Sequence, residues 1–226
     1  MIYGTERGDL WQTVEVVRTG ARAEVLKDLL VRGGFRVAGA VPAPRIESLS
    51  IDLAPEVAAL YNALGGRAEV LPTARPGAWD LMFEPAVVVE LDEELHFNRY
   101  RQLTLDADWS SPLPWRDDYL RLCRQRETNC LAAGKWGKRW TNASCEAMFG
   151  VADSPGVFET GGAPRWKQRA LYDSIKDAVA LSGSGIRLAR ISTHDVVDGV
   201  ALGAILEHRA TCDLDALVAL VEERTT

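Results

Sequence analysis

Acidic residues gather in one short stretch of this chain: Asp80, Glu90 and Asp92, with His96 four residues beyond. Carboxylates that share a strand face repel one another unless water solvates them or a cation bridges them. Oxygen ligands of this kind suit Mg2+ or Mn2+. Such a cation can polarise a phosphodiester and lower the pKa of an attacking water, and a neighbouring histidine can move the proton. The alternative is a solvent-facing acidic rim on an amphipathic hairpin, with His96 a surface histidine just past the strand.

Register decides between these readings, because side chains alternate faces along a strand. Trp79–Phe83 and Val87–Asp92 read as two strands joined by Glu84, Pro85 and Ala86. A three-residue connection sets Phe83 opposite Val87, Leu81 opposite Val89 and Trp79 opposite Leu91, which makes one apolar face. It also sets Asp80 opposite Glu90, with Asp92 two residues along. A two-residue turn would pair Asp80 with Val89 and mix acids into the apolar side. Hydrophobic matching therefore selects the register that collects the carboxylates.

Other elements must hold this hairpin in place. The first 50 residues read as a strand or short helix near Leu10–Arg18, an amphipathic helix over Ala21–Val31 stopped by Gly33-Gly34, and a connector over Ala38–Arg45. Leu53–Leu64 is a helix ended by Gly65-Gly66, and Arg67–Leu71 a short strand. Residues 104–164 are rich in Trp, Arg and Cys and lack a single period. The helical pattern returns over Arg165–Leu181, then a strand over Ile186–Ile191 and closing helices over Val196–His208 and Leu214–Glu223. The expected fold is α/β, with a helical extension (1–50), a core (51–103 and 165–226) and a basic, aromatic insertion (104–164).

The segment WDLMFEPAVVVELDEELHFNRYR resembles the central hairpin of the PD-(D/E)XK nuclease superfamily. More narrowly it is similar to the branch around the very-short-patch-repair endonucleases, where an apolar strand runs into Glu-x-Asp-Gly-x-x-His. YDSIKD, GSG and GIRLARISTHDV follow in that branch's order of helix, glycine turn and arginine-bearing strand. The resemblance covers roughly residues 53–101 and 165–197. It implies a restriction-endonuclease-like core, a mixed four- to five-stranded sheet flanked by helices, that hydrolyses DNA phosphodiesters with Mg2+ (or Mn2+) in restriction, repair or defence. RNA is not excluded as a substrate.

On that resemblance Asp80 is the first metal-binding aspartate and Glu90 the second acid. Asp92 is the aspartate of Glu-x-Asp, and His96 is the histidine beyond it. Glu56, on the preceding helix, stands where some members supply another acid. Arg190 matches the strand arginine, with a salt bridge inside the sheet as the alternative to a phosphate contact. Asp173, Lys176 and Gln168 share the later helix. Asp173 and Lys176 read equally well as pairing with neighbours on a solvated face. Two departures stand out. Asp92 occupies the place of the superfamily's lysine, so a cation must come from Arg101, Lys167, Lys176 or a second metal; and Glu93 replaces the usual glycine. Both also suit a non-cutting member that binds nucleic acid or a protein partner.

Bulk properties narrow the field. A net charge of −6 over 226 residues argues against a surface coated in positive charge. Yet from Arg121 to Arg139 there are six cationic residues and one acid, Glu127. Arg121, Arg124, Lys135, Trp136, Lys138 and Arg139 are therefore the expected nucleic-acid surface, basic groups for phosphates and an aromatic for bases. The alternative is a solvated helix whose tryptophans lie in the core. Cys123, Cys130, Cys145 and Cys212 show no CxxC spacing and read as free thiols rather than a zinc site through the first three. No apolar run approaches the roughly 20 residues of a membrane span, and the N-terminus lacks a signal-like h-region. Cytoplasmic residence, DNA as partner, no membrane and self-association as a homodimer are the expectations. No Walker loop or GxSxG elbow occurs.

Overall fold

The computed structural model describes residues 20–226, so the element expected near Leu10–Arg18 lies outside the described residues. In chain order the elements are α1 (Ala21–Arg32), α2 (Leu53–Ala63), β1 (Leu81–Phe83), β2 (Val87–Asp92), α3 (Arg99–Leu105), α4 (Arg116–Gly134), α5 (Ala143–Phe149), α6 (Pro164–Leu181), β3 (Arg187–Ser192), β4 (Val196–Val197), β5 (Val200–Ala201), α7 (Leu202–Leu206) and α8 (Leu214–Glu223). The α/β class stands. The sheet is smaller than expected: three strands in the order β1-β2-β3, with β4-β5 as a separate two-stranded ribbon. Single bridges extend it, Val37 to Phe83 beyond β1 and Thr225 to Ala189 beyond β3.

The hairpin has the register that hydrophobic matching selects. Leu81 lies opposite Val89, Met82 opposite Val88 and Phe83 opposite Val87, antiparallel. β3 then pairs parallel to β2, Glu90 beside Arg190 and Asp92 beside Ser192. A parallel pair needs a crossover, and here α3 to α6 supply it. One sheet face (Leu81, Phe83, Val87, Val89, Leu91, Ile191) packs on α1, α7 and α8. The other, through Val88 and Leu188, packs on α2, α4 and α6. Helices cover both faces, so β2 is buried along its whole length and Glu90 and Asp92 have no solvent side to occupy.

Several elements differ from the sequence reading, each for a local reason. β1 begins at Leu81. Trp79 packs in the cluster opposite from Leu91 and donates its indole N–H to the Pro42 carbonyl (2.9 Å). Residues 67–71 form no strand: Arg67 N–H bonds the Met148 carbonyl, Ala68 N–H bonds the Tyr61 hydroxyl, and Val70 is exposed. The helix expected over Val196–His208 shrinks to α7, because Asp198-Gly199, both at positive φ (45° and 78°), turn the chain into the β4–β5 ribbon. Asp-Gly between two valine-rich pairs is a hairpin signal. The residues of 104–164 do not stand apart: Trp115, Tyr119, Leu122 and Cys123 join the same cluster as Val88 and Ile175.

Phe83 is fully buried and meets Phe35 edge-on, with ring centroids 5.2 Å apart. Phe83→Ala should therefore cost about 3–5 kcal/mol of unfolding free energy. Urea denaturation followed by tryptophan fluorescence measures it, with a fall in midpoint at unchanged slope expected.

Candidate functional site

Alternation along β2 sends Glu90 and Asp92 to the same face, toward α6. Asp80, just before β1, sits across from Glu90 and is locked to it through the backbone: Asp80 N–H donates to Glu90 Oε1, and Leu91 N–H donates to Asp80 Oδ2, both at 3.1 Å. Asp80 is exposed and Glu90 is not. The Lys176 ammonium, reaching from α6, donates to Glu90 Oε2 at 2.6 Å and to the Ala78 carbonyl at 2.9 Å. It thereby ties the segment that carries Asp80 to the helix.

Two residues along β2, a second group forms around Arg190, which is wholly buried. Its guanidinium donates to both Asp92 oxygens (3.0 and 2.8 Å), to Asp177 Oδ1 (2.6 Å) and to Asp173 Oδ1 (3.4 Å). Asp177 also accepts from Arg101 (2.7 Å). His96 Nδ1 lies 3.0 Å from Asp92 Oδ1 and 2.9 Å from Asp173 Oδ2. The two carboxylates hold the ring by one nitrogen, and Nε2 has no partner among the described residues.

The two groups differ in electrostatic balance. Burial pushes the Asp92 and Asp173 carboxyls up, but Arg190 and His96 outweigh it and hold Asp92 below, and Asp173 well below, the ordinary range. Glu90 goes the other way. Burial dominates, Lys176 opposes it, Asp80 adds like-charge repulsion, and the carboxyl is pushed up to about 7. Negative charge is thus compensated at Asp92 and under-compensated at Asp80–Glu90.

That difference sorts the metal candidates. Asp92, His96 and Asp173 offer one ligand atom each within 4.8 Å of one another, a mixed nitrogen and oxygen set. A buried guanidinium already occupies that charge, and a second cation there would face it. Asp80 and Glu90 supply hard oxygen atoms, and Asp80 is open to solvent, which fits Mg2+ or Mn2+.

The structure also distributes the remaining predicted residues. Lys176 stands at Glu90, whereas Arg101 is buried on Asp177 and Lys167 lies beside Tyr100 and Gly65. Asp173 and Lys176 do not pair with neighbours on a solvated face, since α6 is buried on nearly every side. Arg190, with no exposed surface, takes the salt-bridge role and is closed to phosphate. Glu56 is exposed on α2 and has no ion pair or hydrogen bond through its side chain among the described residues. Gln168 points to Ser144 and Met148. His194 lies between β3 and the β4–β5 ribbon and meets Phe97 edge-on. Arg121 pairs with Asp118. Arg124, Trp136, Lys138 and Arg139 are exposed, and Lys135 leans over the Trp136 ring (5.1 Å). Trp115 and Trp140 are core residues. All four cysteines are free. No helix among the described residues is long and apolar enough to cross a membrane. Asp177 escaped the sequence reading. No local signal marks it, because α6 reads as amphipathic and its burial comes from the elements packed around it.

Residues 59–208 match the Family of unknown function (DUF7255). The chain belongs to DUF7255. No curated protein and no solved structure matches it. The DUF7255 match runs from within α2 to just past α7 and so spans both charged groups, including α6 and β3.

Two outcomes are expected for this DUF7255 chain. Arg190→Met leaves three buried carboxylates short of a partner and should cost about 3–5 kcal/mol, read by thermal or urea unfolding. Glu90, titrating near 7 when folded and near 4.5 when unfolded, carries its extra proton only in the folded state between those values. In chelator, stability should therefore rise as pH falls from 7 to 4.5, by on the order of 3 kcal/mol, and Glu90→Gln should remove that slope.

Proposed function

We propose that this protein is a divalent-metal-dependent nuclease that hydrolyses phosphodiester bonds in DNA at Asp80, Glu90 and Lys176. The observation that carries the reading is the Lys176 ammonium 2.6 Å from Glu90, with Asp80 immediately across the hairpin. Two acids and a lysine are the combination that the resemblance to the PD-(D/E)XK superfamily calls for. Here the helix supplies the cation that the strand lacks, since Asp92 holds the strand position and is spent on Arg190.

In this reading Asp80 and Glu90 hold Mg2+ or Mn2+, which would polarise the phosphodiester and acidify a neighbouring water. Lys176 contributes a fixed positive charge against the negative charge that develops on the phosphorus oxygens. His96, its Nδ1 fixed between Asp92 and Asp173, presents Nε2 for proton transfer to the leaving oxygen. A cleft of about 540 Å³ lined by Arg45, Thr73, Arg75 and Ala78 opens beside the segment leading to Asp80. Both arginines are exposed there, free of ion pairs among the described residues, and suit a phosphate backbone. A non-cutting, nucleic-acid-binding role is the second reading, favoured by one observation: both Glu90 oxygens already have hydrogen-bond donors.

Incubation with supercoiled plasmid and with single-stranded DNA, in Mg2+, Mn2+ or chelator, separates the two. Metal-dependent cutting that falls at least about 100-fold in Asp80→Ala and in Lys176→Met supports the nuclease. DNA retained in a gel shift without cutting in any metal supports the second reading and rejects the first.

A further inference from the structure

Lys167 is almost wholly buried (7 % exposed), yet its ammonium has no hydrogen bond and no ion pair among the described residues. The aliphatic stem is packed away while Nζ keeps access to solvent, and partial desolvation lowers the pKa of this group. The Asp153 carboxylate offsets part of this through space, and the face of the Tyr100 ring lies 5.5 Å from Nζ. Lys167 lines a cavity of about 330 Å³, together with Gly65, Tyr100, Phe158, Thr160 and the exposed Glu159 at its rim.

Tyr100 adds a second unused donor. Its hydroxyl oxygen accepts the Ala163 N–H at 3.3 Å, while its own proton meets no acceptor among the described residues. Gly162, at φ 61°, permits this: a Cβ there would lie 1.9 Å from the hydroxyl oxygen. Asp153, whose carboxylate accepts from the backbone N–H groups of Glu159, Gly161 and Gly162, acts on Lys167 through charge alone and makes no hydrogen bond to it. Arg99, at the mouth, is committed to Glu127 through two guanidinium hydrogen bonds.

We infer that this cavity, between the Gly65-Gly66 turn and the 158–162 loop, binds a small oxyanion, a phosphate or carboxylate group held by the Lys167 ammonium and the Tyr100 hydroxyl. It is lined by none of Asp80, Glu90 or Lys176, so the inference stands apart from the nuclease reading. Phe158 in the wall gives the apolar part of such a ligand a surface to rest on. The oxyanion group can belong to a free metabolite-sized acid or to the terminal phosphate of an oligonucleotide.

Calorimetric titration of the full chain with inorganic phosphate, acetate, and 5′-phosphorylated or 5′-hydroxyl oligonucleotides tests it. Binding of phosphate or acetate that weakens about 10- to 100-fold in Lys167→Met, and less in Tyr100→Phe, is expected, with Lys27→Met, on the far helix α1, unchanged. A preference for the 5′-phosphorylated oligonucleotide over its 5′-hydroxyl twin would assign the terminal-phosphate source. Equal affinity for both, beside good phosphate or acetate binding, assigns the free acid. Independently of any variant, phosphate should slow modification of Lys167 by an amine-reactive reagent, as read by peptide mass. No binding of either anion by the unmodified protein, no protection, or unchanged affinity in Lys167→Met overturns the inference.

Discussion

A single guanidinium holds three elements of this protein together. Arg190 stands on β3, its carboxylate partners stand on β2 (Asp92) and α6 (Asp173, Asp177), and none of them reaches bulk water. In a low-dielectric interior such a cluster is stable only if every charge finds its opposite, so position and orientation are tightly specified. Four buried carboxylates (Glu90, Asp92, Asp173, Asp177) face three permanent cations (Arg101, Lys176, Arg190), with His96 at the rim. The shortfall of positive charge falls on Glu90, where the chain comes nearest to solvent through Asp80.

The same cluster explains why this face can be both rigid and chemically poised. His96 borrows its orientation from Asp92 and Asp173, which are fixed by Arg190. Lys176 shares α6 with those aspartates, one helical turn along from Asp173. Displacement of the helix would disturb the lysine, the histidine and the strand acids together. Precise placement of groups is what the proposed hydrolytic site would require, and a buried ion network is one way to obtain it without a large rigid scaffold.

The hairpin was legible because it obeyed two strong local rules: strand alternation and apolar matching across a three-residue connection. Phe83 opposite Val87 and Leu81 opposite Val89 followed from composition alone, and Asp80 beside Glu90 came with them. The charge partners were not legible. Asp173 and Lys176 three residues apart look the same on a solvated helix as on a buried one, and only the sheet and α3 packed around α6 decide the matter. Arg190 admitted two roles for the same reason. The β4–β5 ribbon was missed although Asp198-Gly199 announces it, because the apolar spacing of Val197, Ala201 and Ile205 also fits a helix. Trp79 was misplaced by extending a strand two residues beyond the point where its indole finds the Pro42 carbonyl.

The way the sheet is bordered has a consequence for assembly. Thr226 donates to the Leu188 carbonyl and accepts the Leu188 N–H through its hydroxyl, while Thr225 bridges to Ala189. This short pairing consumes the outward hydrogen-bonding groups at that point of β3, and Val37 does the same for Phe83 on the far border. At these points the chain's own segments occupy both outer margins of the three-stranded sheet, and a strand from a second copy would have to displace them to add there.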